Sequence, residues 1–307
     1  MTIDFLTNVF GFNFGIVNII SAIAFVVLAP FVGGFLAGLD RKISARMQGR
    51  FGPPVLQPFY DVAKLKEKEA LTVNKFQDFY VGTFLFFIIL TGVFFFAGGD
   101  LLLVLFTLTT ASVLLIVAAY SSNSPYAEIG ASRELLCVMA YEPMVLLTAV
   151  GFYMVIGTFN VTDILAAGRP AIIFLPGIFV GYVFILTLKF RKSPFDLSMS
   201  HHGHQELVKG LTTEFSGRTL AWLEIAHWYE NVFLLGFVFL FIACSSWVSV
   251  IIALVVCLLA YFFETFIDNS FARMRWQTAI NSAWIVALVI GFANILVLYI
   301  LRLFGVL

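Results

Sequence analysis

Glutamates inside or beside apolar stretches are the residues with the clearest capacity for chemistry. They form the series Glu134, Glu142, Glu206, Glu214, Glu224 and Glu230. A charge at mid-helix costs about 2.5–3.5 kcal/mol on membrane-insertion scales, so such acids usually line a polar path. Carboxylates at this spacing can hand protons on, together with histidines, which titrate near neutral pH. The series predicts a proton path; simple pairing of each acid with a neighbouring helix is the alternative.

The sequence does not supply the ligands of a redox centre. The three cysteines are isolated within apolar runs: Cys137, Cys244 and Cys257. They cannot hold an iron–sulfur cluster or attach a c-type haem. His201, His202 and His204 lie close together, but adjacent side chains diverge and no second ligand pair at zinc spacing follows. We therefore expect no metal or other cofactor, and place these histidines at an interface, in a proton relay or in a solvated loop.

The elements that must position the glutamates are membrane helices. Hydrophobic residues make up 61% of the 307-residue chain and charged residues 12%, compared with about 45–50% and about 25% in soluble proteins. A soluble fold could not cover so much apolar surface, so the sequence predicts an all-α polytopic membrane protein in the cytoplasmic membrane. The net charge of zero provides no basic field for nucleic acid.

Apolar runs long enough to cross roughly 30 Å of hydrocarbon predict about eight spans in a single membrane domain, residues 1–307. The spans cover residues 14–39, 76–97, 101–120, 134–157, 171–189, 229–244, 247–266 and 281–303. The cytoplasmic loops cover residues 40–75, 121–133, 190–228 and 267–280. With the N-terminus outside, these loops, together with Lys189 at the inner end of the fifth span, contain every Lys and Arg except Arg169 and Arg302, which sets the orientation. The first run is too long for a signal peptide, so we expect it to be retained.

Two further predictions concern the cytoplasmic surface of the membrane. Residues 57–70 alternate apolar and charged side chains in the pattern of an amphipathic helix that lies in the interface. Basic residues of this loop either anchor to anionic headgroups or dock an acidic partner. At the end of the seventh span, Glu264 and Asp268 near Arg273 and Arg275 predict an ion-paired cluster.

Four motifs in the large inner loops point to a family. They are Arg46-Met47-Gln48-Gly49-Arg50-Phe51-Gly52-Pro53 with Asp61 and Lys64; Arg133 with Tyr141-Glu142-Pro143; Ser193-Pro194-Phe195-Asp196; and Glu206-Leu207-Val208 with Glu214-Phe215-Ser216-Gly217. The chain resembles the membrane protein shared by respiratory complex I, where it is subunit 1 or the H subunit, and the energy-converting nickel–iron hydrogenases. Where the quinone-reducing branch has an acidic stretch, residues 200–205 read Ser-His-His-Gly-His-Gln. Together with residues 225–230, this stretch is similar to the Ech-type (group 4) and carbon-monoxide-induced hydrogenases.

The resemblance implies a membrane-anchoring and coupling subunit of an energy-converting hydrogenase complex. Hydrogenase small and large subunits would dock on the cytoplasmic face and hold the iron–sulfur clusters and the nickel–iron centre. Reduced ferredoxin would drive proton reduction to H2 there. This chain, with no redox centre of its own, would link that reaction to translocation of protons or Na+ toward an antiporter-like membrane subunit.

The resemblance also assigns roles to residues, none of them catalytic. The six glutamates are candidates for the acidic path. Candidates for the interface with the peripheral module are Arg46, Arg50, Asp61, Lys64, Arg133, Asp196, His201, His202, His204 and Arg218. Two other functions remain open: the quinone-site subunit of a complex I-like NADH or ferredoxin:quinone oxidoreductase, with its cavity under the first and third loops, and a stand-alone transporter or anchor.

Overall fold

Long apolar helices make up most of the protein. The computed structural model describes residues 15–69, 71, 74–199 and 207–304. Its helices are α1 (Ile16–Met47), α2 (Gln57–Glu67), α3 (Lys75–Phe96), α4 (Leu101–Tyr120), α5 (Pro125–Ile156), α6 (Val161–Leu165), α7 (Pro176–Lys189), α8 (Gly217–Ile242), α9 (Trp247–Ser270) and α10 (Trp276–Leu303). Seven of these are long and apolar enough to cross a membrane: α1, α3, α4, α5, α8, α9 and α10. The predicted all-α polytopic fold is confirmed.

Helix α7 occupies the fifth predicted span but is shorter than expected. It has 14 residues, which is about 21 Å at 1.5 Å per residue. The chain reaches it through a 3₁₀ turn, Ala171–Ile173. The Asn294 side chain of α10 accepts a hydrogen bond from the Ile178 amide (3.0 Å) and donates one to the Phe174 carbonyl (3.1 Å). A neighbouring helix thus satisfies backbone groups that lipid could not.

Two helices begin before the spans expected from hydropathy. Residues 125–133 belong to α5 and residues 217–228 to α8, although both segments were expected to be loop. Polar residues such as Arg133 and Glu224 lower the mean hydropathy of these segments without interrupting the helix. Because α8 is largely buried, polar side chains such as Thr219 and Glu230 face protein instead of lipid.

Helix α8 lies at the centre of the bundle. It packs against α1, α2, α3 and α9, while α5 packs against α4, α7 and α10. Helix α7 contacts both α5 and α8, and its C-terminal end therefore lies between acids carried by these two helices. Stacked and edge-on rings, including Phe95, Phe233, Phe237 and Phe241, fill the core around α8.

The predicted cytoplasmic loops meet at one end of the bundle. The amide of Leu71 donates to Ser216 Oγ (3.0 Å), and the Asn74 side chain donates to the Ser121 carbonyl (3.4 Å). The amide of Met274 donates to the Pro194 carbonyl (3.0 Å). The first loop is therefore joined to the second and third, and the third to the fourth, as one assembled surface.

The predicted amphipathic helix is present as α2, but it ends at Glu67 instead of residue 70. Pro58 and Val62 are buried against α1 and α8, whereas Lys64 and Lys66 stay in solvent. The two lysines lie in the last turn, where cations interact favourably with the helix dipole. Burial of one face fixes α2 to the bundle surface.

Gly38→Ala should destabilise the protein by about 1–3 kcal/mol, the usual cost of forcing extra atoms into a packed site. An added Cβ at Gly38 would lie 1.8 Å from the carbonyl oxygen of Val55, so α1 and the segment leading to α2 would have to separate. The effect is measured as the change in the free energy of unfolding of the detergent-solubilised protein during titration with a denaturing detergent. The matched control is Gly82→Ala, whose Cβ would lie an ordinary 3.5 Å from the Trp222 ring. Equal stability of the two variants would contradict this packing.

Candidate functional site

A buried group of ion pairs lies where the end of α7 passes between α5 and α8. Lys189 Nζ lies 3.3 Å from Glu230 Oε1, and Arg191 Nη2 lies 2.9 Å from Glu134 Oε1. The four side chains are only 5–16% exposed. We refer to these four residues as the central ion-pair cluster. Two of the six predicted path glutamates are thus brought together, each with a cation beside it.

Further hydrogen bonds hold Glu134 and Arg191 in place. Ser198 Oγ donates to the second carboxylate oxygen of Glu134. Arg191 Nη1 lies 2.6 Å from Nε2 of His227 on α8. Burial alone would lower the pKa of Arg191, but the Glu134 carboxylate holds it above its ordinary value. The guanidinium is therefore a permanent charge that links α5 to α8.

Lys189 is held on its other side by hydroxyl groups and a ring. Its Nζ lies 3.5 Å from Ser112 Oγ of α4 and 4.4 Å from the centre of the Tyr141 ring of α5. The hydroxyl groups of Ser112 and Tyr141 are 3.4 Å apart. Lys189 and its three neighbours thus join α4, α5, α7 and α8. Removal of one charge from such a set leaves its partner buried and uncompensated, which is costly.

A small cavity of about 10 Å³ adjoins the cluster, which is about the lower limit for one water. Its lining includes Ser112, Glu134, Tyr141, Lys189, Arg191, Ser198 and Glu230. Among the residues that the structure describes, no group of three or more His, Cys, Asp or Glu is placed to hold a metal ion. What the arrangement can do is hold, exchange and pass protons.

Charged residues continue from the cluster to the surface. On α2, Asp61 pairs with Arg41 of α1 at 2.6 Å and accepts a hydrogen bond from Gln57 at 2.9 Å. Partial burial opposes ionisation, but the Arg41 and Gln57 hydrogen bonds and the Arg41 charge hold the pKa of Asp61 below its ordinary value. Glu224 of α8 is half-buried, and the charges of both Arg41 and Asp61 at the surface and Arg191 in the cluster act on it.

The other glutamates of the predicted path lie apart from this group. Glu142 is half-buried, near the middle of α5, on a stripe whose apolar members are exposed: Leu135, Met139 and Leu146. Glu214 is half-buried just before α8, where its carbonyl accepts a hydrogen bond from Gln77 (3.4 Å). Glu206 lies outside the described residues, as do the predicted interface histidines His201, His202 and His204.

The predicted interface residues of the first loop are at the surface. Arg46 stacks on the Phe51 ring at 5.0 Å, and Arg50 donates to the Gln48 side chain. Lys64 is exposed on α2 near Asp61. An open groove of about 300 Å³ follows this surface; it is lined by Arg41, Ser44, Ala45, Gln48, Arg50, Phe51, Gly52 and Pro53. A basic concave surface of this kind suits an acidic partner.

The remaining predicted interface residues differ in exposure. Arg218 is 57% exposed, stacks on Trp222 at 5.0 Å and lies 3.8 Å from Asp78. Arg133 is half-buried near the start of α5. Asp196 is only 5% exposed, so its carboxylate does not face solvent. Only the exposed members of the set present charge to a partner directly.

The ion-paired cluster predicted at the end of α9 has different partners from those expected. Lys192 Nζ lies 2.5 Å from Asp40 of α1 and 3.6 Å from Asp268. Asp268 also accepts a hydrogen bond from the Ser193 amide at 2.8 Å. Glu264 is fully buried, and neither of its carboxyl oxygens has a hydrogen-bond partner among the described residues. The prediction that Glu264 is ion-paired is therefore wrong, because helix packing buries its side chain without placing any cation of the described residues in contact with it.

The cations of the site were not predicted from the sequence. Lys189, Arg191 and Lys192 count as positive-inside residues in hydropathy analysis, yet each pairs with a buried or partly buried acid. His227 is a further member that hydropathy does not single out. One feature of the sequence could have indicated these cations. Three of them occur within four positions at the end of an apolar helix, which is more than is needed to anchor the helix at the membrane surface.

Comparison with known proteins identifies the family. Residues 19–299 match the family described as NADH dehydrogenase. The chain is 28% identical to the H subunit of the NADH-quinone oxidoreductase of Carboxydothermus hydrogenoformans, covering 96% of this chain and 90% of the relative. It is 26% identical to the same subunit of Aquifex aeolicus, covering 72% and 74%. A solved chain of the membrane-bound sulfane sulfur reductase, an archaeal respiratory membrane complex, superposes with a TM-score of 0.80 at 27% identity, covering 90% and 99%.

These matches agree with the helical bundle and with the loops that meet at one end of it. The relatives are subunits of multi-subunit respiratory membrane complexes, and the matches cover 74–99% of their lengths. The protein belongs to the NADH dehydrogenase family, as a multi-pass cell-membrane subunit of a complex I-like oxidoreductase.

Proposed function

We propose that this chain couples redox chemistry in a peripheral module to ion translocation, as the anchoring and coupling subunit of an energy-converting hydrogenase complex. The observation that carries the proposal is the central ion-pair cluster, in which Glu134 and Glu230 lie buried beside Arg191 and Lys189. Glu224 extends this series of charges toward the surface. A movement at the docking surface would thereby change the charge around acids inside the membrane domain.

The proposed coupling step is a change of partner. If docking chemistry draws Arg191 away, Glu134 becomes an unpaired buried carboxylate, and such a group takes up a proton. When Arg191 returns, the proton is released toward the next acid. The free energy available from such a change of partner is of the required size. Moving one charge against 100 mV costs about 2.3 kcal/mol. A change of about two units in the pKa of a carboxyl group supplies about 2.7 kcal/mol.

Packing beneath the first and third loops supports the hydrogenase function over the quinone-site alternative. Between α1, α2 and α8, the Phe59 ring lies 5.1 Å from the Trp228 ring and 6.5 Å from that of Phe31. A Cβ added at Gly34 would lie 2.5 Å from Phe59. A quinone headgroup could enter this space only if these rings moved.

A second candidate function follows from the structural neighbour. The superposition covers 99% of a chain from a sulfane sulfur reductase, so the peripheral module of the present complex could reduce sulfane sulfur instead of protons. In either case we propose the same architecture: small and large subunits on the cytoplasmic face, with the iron–sulfur clusters and any nickel–iron centre, and ferredoxin as the donor.

Purification of the complex through a tag on this chain tests the proposal. We expect nickel and iron in the co-purified subunits and H2 evolution from reduced ferredoxin. Sulfane sulfur reduction without nickel would favour the second candidate. A nickel-free complex that reduces quinone would contradict both, and so would a chain that purifies without partners.

A photo-crosslinking residue in place of Met139 or Leu146 should capture a neighbouring membrane subunit. Both side chains are exposed on the stripe of α5 that contains Glu142, and a carboxyl group at mid-helix is costly against lipid. We therefore expect the proposed antiporter-like subunit to cover this stripe and complete an ion path at Glu142. The control is Met144, which is fully buried and should give no crosslink to another subunit. Crosslinks to lipid alone from Met139 and Leu146 would contradict this placement.

A further inference from the structure

Glu264 is a buried acid that the central cluster does not use. It lies on α9 with no exposed surface, and both carboxyl oxygens lack a hydrogen-bond partner among the described residues. An ionised carboxylate without hydrogen bonds in such a place carries a large desolvation cost. In the conformation described, the group is therefore the neutral acid, with its proton bound.

The groups around Glu264 explain how its proton can leave. Asp40 from α1, Lys192 from the loop after α7, and Asp268 and Tyr261 from α9 itself surround this region. Lys192 already pairs with both Asp40 and Asp268, so a further negative charge at Glu264 would be uncompensated. Glu264 and Asp268 are one helical turn apart, and Asp268 is the more exposed, with 30% of its side chain accessible.

We propose that Glu264 is a proton-binding site that exchanges its proton with Asp268 when Lys192 changes partner. In the exchange, the O–H bond of Glu264 breaks and an O–H bond forms on the Asp268 carboxylate. The Lys192 ammonium keeps its three protons and moves from Asp268 to the new Glu264 carboxylate. Total charge is unchanged, and the proton now lies on the acid that is open to the cytoplasmic surface.

The loop that carries Lys192 connects this site to the central cluster. Lys189, Arg191 and Lys192 lie within four positions and pair with different acids: Glu230, Glu134, and Asp40 with Asp268. Lys192 directly follows Arg191, so a movement of this loop would change both sets of ion pairs together. The inference concerns proton binding by Glu264 and stands whichever redox reaction the complex performs.

Infrared difference spectroscopy of the purified complex, recorded as the pH is raised, tests the proposal. At neutral pH we expect a protonated-carboxyl carbonyl band that shifts in D2O and is absent in Glu264→Gln. Glutamine replaces a neutral acid with a similar shape, so this variant should assemble normally. The matched control is Glu67→Gln, an exposed acid of α2, which should retain the band. A Glu264→Gln spectrum identical to that of the unmodified complex would overturn the proposal.

Asp268→Asn tests the exchange itself. This variant leaves Lys192 paired with Asp40, so the site should still fold, but it removes the proton acceptor. We expect the Glu264 band to persist at pH values where the unmodified complex loses it. Loss of the band at the same pH in both would overturn the exchange with Asp268. These readouts involve neither redox rate nor ion transport, so they separate a failure of this inference from a failure of the proposed function.

Discussion

Arg191→Met should lower the free energy of unfolding by about 3–5 kcal/mol, the cost of breaking a buried ion pair by removing one partner. The substitution leaves the Glu134 carboxylate buried without its ion-pair partner, although the Ser198 hydroxyl still donates to it, and it removes the contact with His227. Methionine keeps a long apolar side chain, so lost packing contributes little. The loss of stability is measured by titrating the detergent-solubilised protein with a denaturing detergent and recording its unfolding.

Two variants make the stability test specific. Arg41→Met removes the Arg41–Asp61 pair, whose side chains are 44% and 41% exposed, and surface pairs contribute only about 0–1 kcal/mol. The double variant Arg191→Met with Glu134→Gln removes both charges and should recover much of the stability. If Arg191→Met costs no more than Arg41→Met, the central cluster is not buried as described.

Glu230→Gln should lower ion translocation at least about tenfold while the redox rate of the peripheral module changes little. Glutamine still accepts a hydrogen bond from Lys189, which limits the cost of leaving that lysine without its counter-charge, but it cannot take up or release a proton. A barrier increase of about 1.4 kcal/mol slows a step tenfold. This increase is smaller than the free energy of about 2.3 kcal/mol that is needed to move one charge against 100 mV. Proteoliposomes that contain the complex allow both rates to be recorded.

The matched control for Glu230→Gln is Glu67→Gln, which removes an exposed acid of α2 and should leave both rates unchanged. Retained ion translocation in Glu230→Gln would show that Glu230 only pairs with Lys189 and does not carry protons. Parallel loss of both rates would mean that the variant damages assembly, and would contradict the separate coupling role.

Much of the fold was predictable because the apolar runs that form α1, α3, α4, α9 and α10 differ sharply in hydropathy from the loops. The starts of α5 and α8 were not, since charged residues such as Glu128 and Arg218, both of them exposed, lower the hydropathy of the first turns without interrupting the helices. The length of α7 depends on Asn294, which is distant in sequence and caps its N-terminal end. The outward orientation of the N-terminus stays a prediction based on the basic loops.

The acids of the candidate site could be predicted and their partners could not. Glu134 and Glu230 stand out as carboxylates in apolar surroundings, but Arg191 meets Glu134 only because α7 ends between α5 and α8. Glu264 shows the converse case: nearby basic residues in the sequence suggested pairing, whereas helix packing buries the side chain without a hydrogen-bond partner among the described residues. Pairing is a property of the packed helices, and local sequence does not encode it.

The number of ions translocated per electron pair in proteoliposomes, measured for Glu134→Gln against the unmodified complex, tests the coupling role most directly. Glutamine at this position can still hydrogen-bond Arg191 and Ser198, so the redox rate should be kept. We predict that the ratio falls close to zero in Glu134→Gln and is unchanged in Glu67→Gln. An unchanged ratio in Glu134→Gln would contradict the claim that the central ion-pair cluster couples redox chemistry to ion movement.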